Sequence, residues 1–296
     1  MNTSKKAAVF ILLGQSNAVG HGVPMVEEDK ITTPLKNVFG LHRRDNQKLH
    51  PKELIWSGYT SGGMNLAEEQ DHTYSVVNCI AAQWQKRIDN GEELPDLYII
   101  QIAVGAQGVT RNYMWYPYRQ EICVPGVLGQ VNISMFPMAV SVFSLLKESF
   151  AKMGKAFEII GLHWRGGSND ISEDMDYLKT NLMSLYQKIL FTFSDILDHP
   201  PIVLHEIHAP DRMNDLDPTG AYLERMYYIN SVFEELAKTK ENILLFDPRK
   251  APSFRPGLRG NGLYIEDNIH FTPEVNRWVA HSIIDDYCLR CDKADD

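Results

Sequence analysis

The sequence predicts an α/β protein, a three-layer α/β/α sandwich with a central parallel sheet. Three observations predict it. Short, solidly apolar runs recur along the chain, as strands covered on both faces do. Longer segments between them carry apolar residues at helical spacing. The regular alternation of the two calls for parallel strands joined by right-handed crossovers.

Taken in order, Ala7–Leu13 reads as the first strand and Tyr74–Ile88 as a helix that stops before Asn90-Gly91, a helix-ending pair. Leu97–Val104 is the second strand. Ile133–Ala151 is helical, with Pro137 near its start, where proline is tolerated. Phe157–His163, Ile202–Ile207 and Ile243–Phe246 supply three more strands, separated by helices over Ile171–Phe193 and Tyr222–Ala237. Thr272-Pro273-Glu274 then opens the last helix with a hydroxyl at the cap, proline at the first helical position and an acid in the first turn. That helix runs to about Leu289. Two long stretches, His21–Asp71 and Gly105–Gln130, read as irregular, and loops of such length usually carry function. The second holds Tyr113, Met114, Trp115, Tyr116 and Tyr118. These rings either line a sugar site or pack the loop onto the body.

The chain has 296 residues, 44% of them hydrophobic and 23% charged, enough for one sizeable core, and a single domain over 1–296 is expected. A formal net charge of −9 argues against nucleic acid as partner, and no basic tract suggests an anionic membrane surface; Arg43-Arg44 is too short. No segment approaches the roughly 20 apolar residues of a membrane span. Lys5 and Lys6 before Ala7–Leu13 resemble the start of a signal peptide, but cleavage there removes a core strand, so a cytoplasmic protein is expected. Four cysteines, Cys79, Cys123, Cys288 and Cys291, are too sparse for a disulfide framework. Cys288 and Cys291 form one C-x-x-C with no second pair to complete a zinc site. His205 to His208, "HEIH", lacks the spacing of a helical metalloprotease motif. Neither a metal nor a cofactor is expected.

Open α/β sheets bind ligands outside the carboxyl ends of their strands. In "FILLGQSNAVGHG", Phe10 to Gly22, an apolar run breaks at Gly14 and a hydroxyl, Ser16, follows two residues later. Gly105 follows the second strand. "RGGSND", Arg165 to Asp170, follows the third, and "EDNIHFTP" before the last helix holds Asp267 and His270. These types suit acyl transfer. A serine hydroxyl needs a base to take its proton, and His270 is of the right kind. Asp267, three residues earlier, is placed to orient that imidazole. The backbone N–H of Ser16, the backbone N–H of Gly105 and the side-chain amide of Asn169 are candidate donors to an oxyanion. Each residue also has an ordinary role open to it: Ser16, Asn169 or Asp170 as a helix cap, Gly105 as a turn residue. Their shared position at strand ends favours the chemical reading.

Gly14-Gln15-Ser16-Asn17 resembles the nucleophile block of the SGNH/GDSL hydrolases, in the form found in the sialate O-acetylesterase-like and carbohydrate acetylesterase branch. "QIAVGAQGV" resembles the second block, Gly167-Ser168-Asn169-Asp170 the third, and Asp267-Asn268-Ile269-His270 the last. The resemblance implies a flavodoxin-like SGNH hydrolase fold without a metal, Ser16 as nucleophile, His270 as base, Asp267 as its partner, and an oxyanion hole of Ser16, Gly105 and Asn169. Two departures bear on the substrate. The third block has Arg165-Gly166-Gly167 where that branch often has Gln-Gly-Glu, and Gly105-Ala106 stands where paired glycines are usual.

The resulting expectation is a serine esterase that removes O-acetyl groups from a carbohydrate, such as a sialic acid or a plant-type oligosaccharide, with Gln15, Arg165 and Trp115 at the substrate. Arg165 is either a carboxylate ligand or a structural ion-pair partner. Alternatives are an esterase for lipid or other acyl chains, and a non-catalytic sugar-binding protein on the same fold. The expected partner is a small-molecule or oligosaccharide ester.

Overall fold

The strand β1, Ala7–Gly14, is buried along its whole length because both of its faces are covered. Ala7, Val9, Ile11 and Leu13 enter one core cluster, while Ala8, Phe10 and Leu12 enter another. The period of two that a strand imposes thus turns a solid apolar run into two separate interfaces. The computed structural model describes residues 6–41, 53–62, 64, 66, 74–119, 134–209, 219–257 and 259–294. Arg43, Arg44 and Cys123 lie outside these residues.

Six further strands flank β1: β2 (Val38–Leu41), β3 (Trp56–Gly58), β4 (Leu97–Ala103), β5 (Phe157–Arg165), β6 (Ile202–His205) and β7 (Ile243–Phe246). Their order across the sheet is β3-β2-β4-β1-β5-β6-β7. All neighbours are parallel except β3, which runs antiparallel to β2. The helices α3 (Met135–Lys152), α4 (Met175–Ile196) and α5 (Ala221–Thr239) pack on the odd-numbered face of β1. The one-turn helix α1 (Ser16–Val19), together with α2 (Val76–Asp89) and α6 (Pro273–Ala294), covers the other face. This is the three-layer α/β/α sandwich expected from the sequence.

Several boundaries differ from expectation, each for a local reason. The stretch His21–Asp71 is not wholly irregular, since it contains β2 and β3. Gly40 interrupts the four residues of β2, and Ser57 and Gly58 make up most of the three of β3, so neither shows an apolar run. β6 stops at His205 rather than Ile207, because the side chain of Asn230 takes over both backbone groups of Ile207, accepting from its N–H (2.9 Å) and donating to its carbonyl (2.7 Å). α4 starts at Met175 rather than Ile171. Asp174 caps it by accepting from the Tyr177 N–H at 2.7 Å, and a separate 3-10 turn, Asp170–Ser172, precedes it.

Topology prepares the site. From β1 the chain moves to one side of the sheet, through β2, β3 and β4, and then crosses to the other side for β5, β6 and β7. The carboxyl end of β1 is therefore a switch point, where open α/β sheets form a crevice. Gly14 pairs in register with Ala103 on β4 and with Arg165 on β5. The segments that begin just beyond these three positions carry Ser16, Gly105 and Asn169. Among the described residues, no helix is long and apolar enough to cross a membrane.

Candidate active site

The turn after β1 is set by backbone contact. Gly14 has φ +143, and a Cβ there would lie 2.1 Å from the carbonyl oxygen of Arg165. Only glycine fits so close an approach. The Gln15 N–H donates to that same carbonyl at 3.1 Å, and α1 begins at once, with Ser16 at its first position. Ser16 is buried but lines a cavity of about 620 Å³. Gly105, Asn169, Asp267 and His270 line the same cavity.

Asp267 and His270 sit on a loop between Tyr264 and Phe271, residues that pair as an isolated bridge. Asp267 Oδ2 lies 2.5 Å from His270 Nδ1, and its Oδ1 accepts from the N–H groups of Ile269 (2.8 Å) and His270 (3.0 Å). Burial raises the Asp267 carboxyl, but those two N–H groups and the imidazole outweigh it and hold the group below the usual carboxylate range. With Nδ1 engaged, Nε2 is the nitrogen left for chemistry. The His21 ring stacks on His270 with centroids 5.5 Å apart.

Asn17, next to Ser16, ties this loop to the turn after β1. Its Nδ2 donates to the Ile269 carbonyl at 3.1 Å, and its Oδ1 accepts from the Phe271 N–H at 2.9 Å. The two bonds clamp the backbone on either side of His270.

The third segment completes the set of donors. Asn169 Nδ2 is buried and makes no hydrogen bond, a donor held at the cavity without an acceptor. The Gln15 side chain donates to Ser168 Oγ. Next along the chain, Asp170 is wholly buried, and its Oδ1 accepts from the N–H groups of Val109 (2.9 Å) and Thr110 (3.1 Å). These bonds join the segment after β4 to the segment after β5, so Gly105 and Asn169 are held in one frame. Burial pushes the Asp170 carboxyl up to about 7, against the N–H groups that favour its charge.

Four sequence blocks thus arrive at one rim of this sheet. Two solved structures share the architecture end to end. NanS matches with a TM-score of 0.57 at 15% identity, over 97% of this chain and 99% of its own. A protein of Arabidopsis thaliana matches with a TM-score of 0.56 at 14% identity, over 96% and 98%. The likeness to both is one of fold. No family model matches the sequence, and no curated protein matches it either.

One of the two departures from the resembling pattern, Gly105-Ala106 in place of paired glycines, gains a physical meaning. Ala106 lines the cavity with φ +57, a left-handed conformation that costs an L-residue roughly 1–2 kcal/mol. Glycine in that place, as in the paired form, is unstrained.

Of the expected substrate contacts, Trp115 stands away from the cavity and Arg165 stands at it. Trp115 is fully buried, its Nε1 donates to the Gly14 carbonyl at 2.9 Å, and its ring meets Trp164 edge-on. It buttresses the turn after β1 from below. Arg165 borders the cavity but is only 3% exposed. Its Nη1 donates to the Asn17 carbonyl (3.1 Å) and to Asn276 Oδ1 (2.7 Å), and its guanidinium lies over the Phe271 ring. It braces both halves of the site. Burial lowers it to about 9, and its charge adds to the burial that keeps His163 (about 3) and His205 neutral. Those two rings meet at 2.9 Å.

Sequence reasoning did not single out Asn17, nor Tyr222 and Met226 of α5, which also line the cavity. The last two stand four apart on a helix beside the rim, the one signal available. Asn17 stood in the Gly14–Asn17 block, but its role was hidden because its partners lie 252 and 254 positions away.

Proposed function

We propose that this protein is a serine esterase that removes O-acetyl groups from a carbohydrate. The observation that carries the reading is the Asn17 clamp, which holds a histidine–aspartate pair against the turn bearing Ser16, in one cavity with an unpartnered amide donor.

In this reading Ser16 Oγ attacks the ester carbonyl as His270 Nε2 takes its proton. Asp267 fixes the tautomer and stabilises the imidazolium. The oxyanion is met by the N–H of Ser16, the N–H of Gly105 and Asn169 Nδ2. The intermediate collapses, His270 returns the proton to the departing sugar oxygen, and an acetyl-serine remains. Water, deprotonated by His270, then attacks the acyl carbonyl and releases acetate. The Gly-Gln-Ser-Asn form of the nucleophile block supports the choice of acetyl groups and sugars.

The deciding experiment is labelling with an aryl organophosphonate, read by mass spectrometry. One adduct on Ser16, absent from Ser16→Ala, is expected, with parallel loss of aryl acetate hydrolysis. An unlabelled serine in a folded, active protein overturns the mechanism.

A second reading has its own observation. Ile171, Ile207 and Met226 line the same cavity, and these side chains suit a longer acyl chain. Rates on aryl esters of increasing chain length separate the two: acetate fastest supports deacetylation, octanoate fastest supports the lipid alternative.

A further inference from the structure

A second group of side chains gathers along the same rim, two to three strands from β1, or about 10–14 Å at the usual strand spacing. Glu206 and His208 follow β6, and Asp247 follows β7. The Glu206 N–H still bonds to the Phe246 carbonyl (3.0 Å), Asn230 pins Ile207, and the Tyr264 hydroxyl donates to the His208 carbonyl (2.7 Å). The backbone carrying these residues is thus fixed on every side. Glu206 and His208 line the cavity that holds Ser16.

One ligand atom each from Glu206, His208 and Asp247 lies within 4.8 Å of the other two. His208 Nε2 is 3.2 Å from Asp247 Oδ1 and 3.5 Å from Glu206 Oε2. Despite these distances it is buried and makes no hydrogen bond. The ring nitrogen faces two carboxylate oxygens without the alignment that a donated proton needs. Ligands to a common ion explain such spacing. Bonds of about 2.1 Å at 90–110° put neighbouring ligand atoms about 3.0–3.4 Å apart.

Arg249 supplies the charge that these carboxylates otherwise lack. Its Nε and Nη2 pair with Asp247 at 2.9 and 3.0 Å, and Nη2 lies 4.0 Å from Glu206 Oε2. Its side chain is 51% exposed, so it can swing into solvent.

We propose that Glu206, His208 and Asp247 form a binding site for a first-row divalent cation of the Zn²⁺ or Mn²⁺ kind, with Arg249 as the counter-ion that the metal displaces. One imidazole and two carboxylates suit these ions better than Mg²⁺ or Ca²⁺, which favour oxygen ligands alone. Three protein ligands leave coordination positions open, as ligand-exchanging sites do. The spacing is invisible to a search for helical metal motifs, because Glu206 and His208 are two apart on a strand exit.

The test is calorimetric titration of the full chain, freed of metal by chelation, with Zn²⁺ and separately with Mg²⁺. The expected result is one equivalent of Zn²⁺ bound, at least tenfold weaker binding in His208→Ala and Asp247→Asn, and at least threefold tighter binding in Arg249→Gln. Ser16→Ala is expected to bind like the parent, so the outcome is independent of the proposed hydrolysis. Zn²⁺ binding that is unchanged in both His208→Ala and Asp247→Asn, or the absence of saturable binding in the parent and Arg249→Gln alike, overturns the site. Should either ligand variant fail to fold, Arg249→Gln decides: weaker or unchanged binding there also overturns it.

Discussion

The turn that carries Ser16 and the loop that carries His270 are built by different means. The turn is an extension of the central strand. Its glycine touches β5, its next N–H bonds to β5, and Trp115 supports it from within the core. The loop lies outside the sheet, with Ile269 at its tip 55% exposed and the Asp267 side chain 37% exposed. Side-chain hydrogen bonds, chiefly those of Asn17, hold it in place. Ser16 is positioned by the core and His270 by a clamp, so in the proposed mechanism the two halves are expected to fail differently.

The sharpest break is removal of either reacting group. Ser16→Ala and His270→Ala are each expected to lower kcat on an aryl acetate by on the order of 10⁶, and the double variant by no more. Additive losses in a kinetic comparison of the three would sever the link between turn and loop. Next in size is Asp267→Asn, which keeps the shape but removes the charge below the imidazole. A loss of about 10⁴ in kcat is expected, with KM little changed.

Asn17→Ala tests the clamp itself. It leaves every reacting group in place but frees the loop to shift, and misplacement by about 1 Å costs about 10² in rate. Asn17→Asp keeps the bond from the Phe271 N–H and loses the one to Ile269, so its kcat is expected to fall between Asn17→Ala and the parent. Equal rates in all three proteins would show that the loop needs no such tie.

The smallest effect concerns stability on the core side. The Asp170 carboxyl, raised to about 7 by burial, keeps its proton in the folded state over a range where the unfolded chain has lost it. Its contribution is therefore fully present below about pH 4 and declines as the pH rises through about 7. Asp170→Asn cannot titrate, so its urea midpoint is expected to fall less than the parent's between those limits. An unchanged slope would mean that Asp170 is ionised throughout in the folded protein.

The same contrast governs what could be read from the residues alone. β1, β4 and β5 were legible because burial on both faces writes a solid apolar run, β6 and β7 because Ile202–Leu204 and Ile243–Phe246 are unbroken apolar stretches, and the Ser16 turn because a strand ending in glycine leaves a distinct mark. β2 and β3 were not, since Gly40 interrupts the one and Ser57 and Gly58 make up most of the other, so neither writes an apolar run. Trp115 was assigned to the substrate because a ring-rich loop reads alike whether its rings face the core or the rim. Asn17 was overlooked because its partners are distant in sequence, and only the folded chain brings them within reach.

Gly14 has one more consequence. The methyl group of alanine, the smallest side chain available, already collides with β5 there. A library randomised at this codon and screened only for soluble expression should return the parental amino acid alone. The loss would be seen before any assay of turnover, and a census of natural variation would mistake this architectural necessity for a mark of chemistry.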